Sequence, residues 1–295
     1  MQVNKIQDII DCAKEMKPQV PAAIVSADDK HILEAIVMAK KDEFIKPYLI
    51  GDETLITTYL EELGEDTDGY VIIDESDSEK CAAKAAELVV SGEIKIVIKG
   101  LLETAVLMKA LLNKETGIKN TGVVSALGVF EFRKYHKLLA LTDMGINTFP
   151  DVDRKEAIIR NAVDFMHKLG HETPKVAVLS AVEKVNPKMQ DTLDAAELKQ
   201  RNTDGKLDGC IVEGPISFDL AIFPDSPVAG DADILLFPDI TAGNIATKAM
   251  GFFGEPQNAD IVLGFEVPVV FGSRGGPAMG KYTSIALSTL VASSK

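Results

Sequence analysis

Short apolar runs alternate with helical patterns through the first part of the chain, and this alternation constrains the fold more than any other feature. The strand-like runs are residues 22–27, 47–51, 70–74 and 94–100. Helical patterns lie at residues 4–16, 31–41, 79–90 and 103–113, and Asp52 is placed to cap a further helix. Strands separated by helices of about 10–15 residues predict βαβ units with parallel strands. We therefore predict an α/β fold of mostly parallel sheets with helices on both faces.

The rhythm changes after the first series of strands. Two apolar runs, 121–130 and 137–143, follow each other with only a polar loop between them, which fits either an antiparallel pair or a crossing between lobes. A second series of helical and strand-like patterns then follows. Because the 295 residues exceed the usual domain size of about 100–150 residues, we predict two domains. Their predicted limits are 1–137 with 273–295 for the first and 138–272 for the second, with a cleft between the lobes.

The formal net charge of −14 limits the classes of partner. Phosphate contacts to nucleic acid need clustered Lys and Arg, so we expect no nucleic-acid partner. Small anions stay possible, because a pocket needs only a few local cations and backbone N–H groups. No apolar run reaches the roughly 18 residues of a membrane-spanning helix, and the start MQVNKIQDII lacks a signal-peptide pattern. We expect no membrane partner and a cytoplasmic location.

Polar residues follow a strand-like run at Ser273 and Arg274. The run VPVVFG ends directly before them, and two glycines come next. A hydroxyl and a guanidinium at the carboxyl end of a strand, followed by glycines that let a ligand approach the backbone, suit a phosphate group. The planar fork of Arg binds two oxygens at once. A solvated turn that uses Ser and Gly for backbone freedom explains the same residues, and both interpretations stay open here.

Two further segments could hold an anion. TAGN, residues 241–244, leads into a helical pattern, so its free N–H groups and the positive end of the helix dipole would face one rim. A helix N-cap at Thr241 is the alternative, but it gives no reason for Gly243 and Asn244. The second segment consists of Lys99, Gly100 and Thr104, at a strand end and the start of a helix. For Lys99, a charge at the rim is an equally good explanation.

Other polar residues give weaker signals. Asp231 and Asp233 could serve acid–base chemistry or a metal, but a turn rich in Gly and Asp explains them without either. No third carboxylate or His lies near them in sequence, so we predict no metal site. The three cysteines are widely spaced and are expected to be small buried side chains, and no His is assigned to catalysis. No G-x-G-x-x-G follows the first strand and no Walker A lysine occurs, so dinucleotide and P-loop sites lack their signatures.

Several longer motifs occur in collinear order. They are LMKALLNKETG, LLALTDMGINTFPD, GPISFD, SPVAGDADILLFPDITAGN and VPVVFGSR. Together they resemble the phosphate acetyl/butyryl transferase family, and more closely its phosphate butyryltransferase branch, over nearly the whole chain. The resemblance implies a two-domain α/β fold related to isocitrate and isopropylmalate dehydrogenases, with the active site in the interdomain cleft. It also implies a homodimer or a higher homo-oligomer.

The same resemblance implies a reaction and roles for residues. The family converts an acyl-CoA and inorganic phosphate to an acyl phosphate and CoA, without a metal or a redox cofactor. Arg274 would hold phosphate, and Ser273 would hydrogen-bond the departing thiolate or the reacting carbonyl. The remaining residues implied to bind substrate are Gly243, Asn244, Lys99, Gly100, Thr104 and Asp143.

The chain departs from the family pattern in places. In acetyl-specific relatives an aspartate shortly after the Ser-Arg pair is the proposed base, whereas GGPAMGK after Arg274 has no carboxylate. The Ser-His of the butyryl branch is replaced by Ser125 and Ala126. Three alternatives to a butyryl-specific enzyme therefore stay open: a phosphate acetyltransferase, a paralogue that binds CoA esters without turnover, and a hydride-transferring dehydrogenase on the related fold.

Overall fold

The computed structural model describes residues 2–223, 231–272 and 278–293. In chain order its elements are α1 (Ile6–Glu15), β1 (Val20–Val25), α2 (Lys30–Lys41), β2 (Ile45–Gly51), α3 (Glu53–Glu62), β3 (Val71–Asp74), α4 (Ser78–Val90), β4 (Ile96–Lys99), α5 (Thr104–Leu111), β5 (Asn120–Glu131) and β6 (Leu139–Thr142). They continue with α6 (Val152–Lys168), β7 (Lys175–Leu179), α7 (Gln190–Thr203), β8 (Ile211–Ile216), α8 (Phe218–Ile222), β9 (Ile234–Leu236), α9 (Ile240–Gly254), β10 (Gln257–Phe265), β11 (Val269–Val270) and α10 (Ala278–Ser293).

These elements form two compact units. The N-terminal unit comprises Gln7–Thr121 and Ala259–Lys295, and the middle unit comprises Met1–Ile6 and Gly122–Asn258. Close packing within a unit does not test which segments fold independently as domains. The domain limits of 1–137 with 273–295 and of 138–272 therefore stay a prediction.

The sheet of the N-terminal unit has the strand order β3-β2-β1-β4-β11-β10. Its first five strands are parallel, and β10 runs antiparallel to β11. The chain moves outward from β1 to β3 and then returns to β4 on the other side of β1. Right-handed crossovers therefore place α2 and α3 on one face of the sheet and α4 on the other. The predicted α/β fold with helices on both faces is confirmed.

The reversal of strand order creates a crevice at the carboxyl ends of β1 and β4. The helices that follow these two strands leave toward opposite faces, and ligands of doubly wound sheets bind at such a point. On one face, α10 packs against α2 and against β4 and β11, as expected for the last helix. The N-terminal sheet thus offers one rim where polar groups from several strand ends can meet a ligand.

Local sequence signals set the helix ends of this unit. The Asp52 side chain accepts a hydrogen bond from the Leu55 N–H at 3.0 Å, so the predicted cap of α3 is confirmed. Gly92 follows α4 with a φ of +81°, a conformation that glycine adopts without strain. The sequence predicts a loop, GGPAMGK, followed by a last helix, TSIALSTLVASS, from residue 283. In the structure this helix begins at Ala278, because Gly280 and Lys281 are incorporated in its first turns.

The sheet of the middle unit has the order β5-β6-β9-β7-β8. β5 and β6 form an antiparallel pair, with Leu127 opposite Thr142, and the remaining pairs are parallel. The antiparallel alternative for the two successive apolar runs is confirmed. The apolar run DGCIVEG predicts a strand at residues 208–214. The observed strand begins only at Ile211, because Gly209 has a φ of +73°, outside the β region. The core of the middle unit includes the buried side chains of Phe130, Leu141, Leu235 and Phe237.

Among the helices within the described ranges, none is both long enough and apolar enough to span a bilayer.

Candidate functional site

The loop after β4 packs against the end of β1. The Gly100 N–H donates to the Val25 carbonyl oxygen at 2.8 Å. A Cβ atom on Gly100 would lie 2.1 Å from the Ser26 carbonyl oxygen, so a larger residue requires the backbone to move. Glycine is therefore needed here because the ends of β1 and β4 approach each other closely. This contact fixes where the connection between β4 and α5 starts.

Lys99, at the end of β4, lies inside the protein. Its side chain is buried, and the Nζ atom donates to the carbonyl oxygens of Gly100 at 3.2 Å and Leu102 at 2.9 Å. The alternative of a solvated charge at the rim does not fit this burial. Lys99 holds the loop that leads into α5 and adds a positive charge at the carboxyl edge of the sheet.

Thr104 is the first residue of α5 and is exposed. The preceding residue, Glu103, makes no side-chain cap, although its carbonyl oxygen accepts from the Val106 N–H at 3.1 Å. The first amides of an uncapped helix have no partner within the helix, and they carry the positive end of its dipole. The segment of Lys99, Gly100 and Thr104 thus keeps the two features predicted for an anion-binding segment, a positive charge and the N–H groups at a helix start.

β11 brings a third chain segment to the same edge. It lies beside β4 with Val270 opposite Ile98, and the two strands are parallel. Gly272 follows with a φ of +45°, a conformation that favours glycine. Ser273 and Arg274, the predicted catalytic pair, come next in the sequence and lie outside the described residues. β11 therefore ends at the same edge of the sheet as β4, the strand that ends at Lys99.

The structure places a further cation at this edge that was not predicted from the sequence. Lys281, in the first turns of α10, is 7% exposed, and its methylene chain passes Gly272. A Cβ built on Gly272 would lie 3.4 Å from Cγ and 3.7 Å from Cε of that lysine. The sequence signal was present, because Lys281 is the only charged residue of AMGKYTSIALSTLVAS.

In the middle unit, Asp143 follows the end of β6 and is 4% exposed. Its Oδ1 atom accepts from the N–H groups of Ala126, Gly145 and Ile146 at 3.0–3.2 Å. Its Oδ2 atom accepts from the backbone and side-chain N–H groups of Asn147 at 2.9 and 2.5 Å. A carboxylate with this many donors organises the loop of residues 143–147, and its predicted contact with substrate stays a prediction.

The start of α9 is capped by Asp239. The Asp239 side chain accepts from the Ala242 N–H at 2.9 Å, and its carbonyl oxygen accepts from the Gly243 N–H at 3.1 Å. The alternative that Thr241 is the N-cap is therefore wrong. Two candidate caps lie close together in the sequence, and only the fold selects between them. Since the Asp239 carboxylate occupies the start of α9, this helix end is a poorer binding site for an anion than the sequence suggested.

Gly243 and Asn244 pack on the loop that Asp143 organises. A Cβ on Gly243 would lie 2.5 Å from the Asp143 carbonyl oxygen, so glycine allows α9 to approach this loop. Asn244 is half-buried, and its Nδ2 atom donates to the Met144 carbonyl oxygen at 3.4 Å. The structure therefore brings Asp143, Gly243 and Asn244 together.

Asp231 and Asp233 form ion pairs. Lys137 Nζ lies 2.8 Å from Asp231 Oδ1 and 2.7 Å from Asp233 Oδ1, and Lys175 pairs with Asp231 as well. Hydrogen bonds from Lys137 and then Lys175 hold the pKa of Asp231 well below its ordinary value. A carboxylate that stays ionised cannot act as a general acid near neutral pH, so the structural explanation is favoured. Over the described ranges, no group of three His, Cys, Asp or Glu could hold a metal ion.

The cysteines differ in burial. Cys81 and Cys210 are buried, as expected, whereas Cys12 is only half-buried. Burial raises the pKa of all three thiols, and that of Cys210 to about 11. A raised pKa reduces the thiolate fraction, which disfavours nucleophilic roles.

The order of the strands and the helices on both faces define a class, the doubly wound α/β proteins, which bind ligands at the carboxyl ends of their strands. The sequence matches the family described as Phosphate acetyl/butaryl transferase over residues 78–289. The chain belongs to this family of acyltransferases.

Individual relatives match over nearly the whole chain. A phosphate butyryltransferase from Clostridium acetobutylicum is 39% identical over 291 residues, which are 96% of each chain. A phosphate acetyltransferase from Thermotoga maritima is 37% identical over 278 residues, covering 92% of this chain and 94% of the relative. The crystal structure of a branched-chain phosphotransacylase from Enterococcus faecalis V583 superposes with a TM-score of 0.82 at 28% identity, covering 94% of this chain and 100% of that chain.

Proposed function

We infer that the protein transfers a short or branched acyl group, of the butyryl type, from CoA to inorganic phosphate. The observation that carries this proposal is membership of the phosphate acyltransferase family across residues 78–289. A butyryltransferase and a branched-chain phosphotransacylase among the relatives favour a substrate of this size. The uncapped helix start and buried cations at the N-terminal rim support binding of anionic substrates.

The reaction is a direct displacement. A phosphate oxygen attacks the carbonyl carbon of the thioester, a C–O bond forms, and the C–S bond breaks. The electron pair of the broken bond leaves with sulfur as CoA thiolate, which then takes a proton. Since a thiol has a pKa of about 8.5, the thiolate leaves with a hydrogen bond and needs no strong acid. The protein must hold both anionic substrates in line and stabilise charge on the carbonyl oxygen.

We assign the roles of Ser273 and Arg274 by motif, and those of the other residues by motif and by the geometry around each of them. Arg274 holds phosphate through its planar fork, and Ser273 hydrogen-bonds the thiolate or the reacting carbonyl. Lys99, Gly100 and Thr104 contribute positive charge and open amides at the same strand ends.

The middle unit supplies a second group of residues in this proposal. Asn244 contacts substrate through its side chain. Gly243 and Asp143 set the position of Asn244, because both pack on the loop that contains its acceptor, Met144. Gly243 and Asp143 therefore contribute to substrate binding indirectly, by positioning the Asn244 side chain.

The proposal extends to cofactor, compartment and assembly. No atom changes oxidation state in the displacement, so the reaction requires no redox cofactor, and CoA and phosphate are substrates. We place the enzyme in the cytoplasm, and thiols rather than disulfides at Cys81 and Cys210 support a reducing compartment. We also propose a homodimer as the basic unit. The exposed rings of Phe252 and Phe253, beside an apolar groove of about 990 Å³ in the middle unit, support association.

Thiol release tests the function. Butyryl-CoA, isobutyryl-CoA and acetyl-CoA are each incubated with the protein, with and without phosphate, and free CoA is measured with a thiol reagent. We expect phosphate-dependent release that is fastest with the four-carbon acyl groups. Fastest release from acetyl-CoA would instead identify a phosphate acetyltransferase. Tight CoA binding by calorimetry without any release would identify a binding paralogue and refute the proposed activity.

The Arg274→Ala variant tests the phosphate role. Loss of a bidentate charged contact should raise the KM for phosphate by roughly 10- to 100-fold, because hydrogen bonds to charged groups contribute about 1.5–3 kcal/mol. The KM for acyl-CoA should change little. An unchanged phosphate KM would remove Arg274 from that role.

A further inference from the structure

Lys281 combines burial with a lack of partners. The residue is 7% exposed, and no acceptor or carboxylate pairs with its side chain in residues 2–223, 231–272 and 278–293. A lysine with a covered methylene chain and no ion-pair partner directs its charged end toward solvent or a ligand. The neighbouring hydroxyls on α10 are bonded elsewhere, Ser284 to the Gly280 carbonyl oxygen and Tyr282 to Asp42.

The position of Lys281 in its helix is also unfavourable for a positive charge. Residues 281–291 of α10 are all buried, and Lys281 is the charged residue at their N-terminal end. The N-terminus of a helix carries partial positive charge and disfavours a cation. Packing does not explain the charge either, because a methionine would fill the same space without an ammonium group. Within the described residues, neither ion pairing nor packing accounts for this charge, which favours a ligand as its partner.

The geometry places the ammonium at the carboxyl edge of the N-terminal sheet. The methylene chain of Lys281 passes Gly272 at ordinary contact distance, and Gly272 lies just beyond the end of β11. β11 pairs with β4, and α10 packs on both strands. Lys99 at the end of β4 has its ammonium bonded to the carbonyl oxygens of Gly100 and Leu102. Of these two buried lysines, Lys281 is the one placed to serve a ligand.

We propose that Lys281 is a phosphate-binding residue whose ammonium pairs with the oxygens of inorganic phosphate during acyl transfer. The proposal deepens the function inferred above and rests on it for the identity of the anion. Inorganic phosphate is a mixture of monoanion and dianion near neutral pH, so more than one cation helps to offset its desolvation. CoA also carries phosphate groups, and the same ammonium chemistry would recognise them. The experiment must therefore separate these two sources.

Two variants give the test. Lys281→Met keeps the apolar stem and removes the charge, and Lys281→Arg keeps a charge. Lys109→Met is the matched control, because it removes one positive charge from the exposed end of α5 in the same unit. Thermal unfolding of each protein is followed with no ligand, with inorganic phosphate alone and with CoA alone. Phosphate and acyl-CoA KM values are measured in parallel.

We expect the melting temperature of Lys281→Met without ligand to equal or exceed that of the wild type. Its phosphate-dependent increase in melting temperature should be lost, and its phosphate KM should rise roughly 10- to 100-fold, as for a lost charged hydrogen bond. The acyl-CoA KM, the CoA-dependent increase and all values for Lys109→Met should stay within about twofold of the wild type. Lys281→Arg should retain the phosphate-dependent increase.

Three results would overturn the proposal. A Lys281→Met protein that unfolds without ligand would show that the lysine has a structural role. An unchanged phosphate KM and thermal increase would remove phosphate as its ligand. Loss of the CoA-dependent increase alone would assign the ammonium to the phosphates of CoA. If the wild type binds phosphate but releases no CoA, the proposed function fails while the Lys281 proposal is still decided by the thermal measurement.

Discussion

The two units use the polar residues at the carboxyl ends of their strands in opposite ways. In the middle unit, Asp143 accepts hydrogen bonds from its own loop and from Ala126, and the start of α9 is capped by Asp239. In the N-terminal unit, the start of α5 has no side-chain cap, and Lys281 is buried without a partner among the described residues. Asp143 and the start of α9 thus have partners inside the middle unit, whereas the start of α5 and Lys281 have no side-chain partner among the described residues.

This difference teaches which polar residues at strand ends hold the fold and which are available for chemistry. Both edges were candidates for an anion site in the sequence, since each combined Gly and a polar residue with a helix start. The number of internal hydrogen-bond partners separates them, because a group with all its partners inside the protein gains little from a ligand. The next four experiments test this separation, beginning with the largest expected effect.

The buried lysines of the two units should respond oppositely to loss of charge. Lys155 lies 2.6 Å from Asp194, and both are buried in the middle unit. Lys155→Met leaves that carboxylate unpaired and should lower the free energy of unfolding by about 3–5 kcal/mol, whereas Lys281→Met should not lower it. Urea unfolding measures both. Equal losses for the two variants would erase the distinction between a paired and an unpaired lysine. The double variant Lys155→Met with Asp194→Leu is the control and should recover most of the loss.

The close-packed glycines of the two edges should differ in function. A Cβ would lie 2.1 Å from a carbonyl oxygen at Gly100 and 2.5 Å from one at Gly243, so an alanine at either position should cost about 1–3 kcal/mol through backbone displacement. Only Gly100→Ala should reduce the increase in melting temperature caused by phosphate. Thermal unfolding with and without phosphate distinguishes them. A reduced phosphate response in Gly243→Ala alone would reverse the assignment of the two edges.

Substitution of Asp143 tests whether the middle edge is structural. In Asp143→Asn the amide replaces an oxygen that accepts from Asn147, and we expect a loss of about 1–3 kcal/mol in stability. The phosphate KM should stay within about twofold, because the carboxylate serves the loop. Steady-state kinetics at a temperature where the variant is folded gives the answer. A steep rise in that KM with unchanged stability would make Asp143 a substrate ligand.

The smallest expected effect is the pH response of Asp231. Ion pairs with Lys137 and Lys175 lower its pKa in the folded state, so its ionised form adds stability above the unfolded value of about 3.9. That contribution is lost as the pH falls through the lower folded-state pKa. Because the side chain is 42% exposed, Asp231→Asn should cost below about 1 kcal/mol at pH 7, and the difference should shrink in acid. A difference that grows in acid would contradict the sign of this shift.

Local patterns were sufficient to predict the order of strands and helices along much of the chain. The cap at Asp52 is one such case, because a cap depends on residues close in sequence. The antiparallel pair of β5 and β6 was one of two alternatives, and the sequence could not choose between them. The start of α10 was placed too late, because Gly280 and Lys281 resemble loop residues until the burial of the helix is known.

The roles of site residues depended on contacts that the sequence does not record. The partners of Asp143 include Ala126 on β5, and the space around Gly243 is limited by the loop after β6. Such contacts arise only when distant strands pair. Lys281 was visible as a single charge in an apolar helix, but its burial beside Gly272 follows from the packing of α10 on β11. Ser273 and Arg274 were predicted from a strand end followed by glycines, and their roles in the reaction from family resemblance; both residues lie outside the described ranges.

The reversal of strand order at β1 has an evolutionary consequence. The opening between β1 and β4 follows from the direction of the crossovers and would exist with many different side chains around it. Substitutions that reshape a neighbouring pocket can therefore change which acyl group is accepted while the recognition of phosphate persists. The family contains both a phosphate butyryltransferase and a phosphate acetyltransferase, each more than one-third identical to this chain. Such a family is expected where the acyl pocket can change while the recognition of phosphate stays the same.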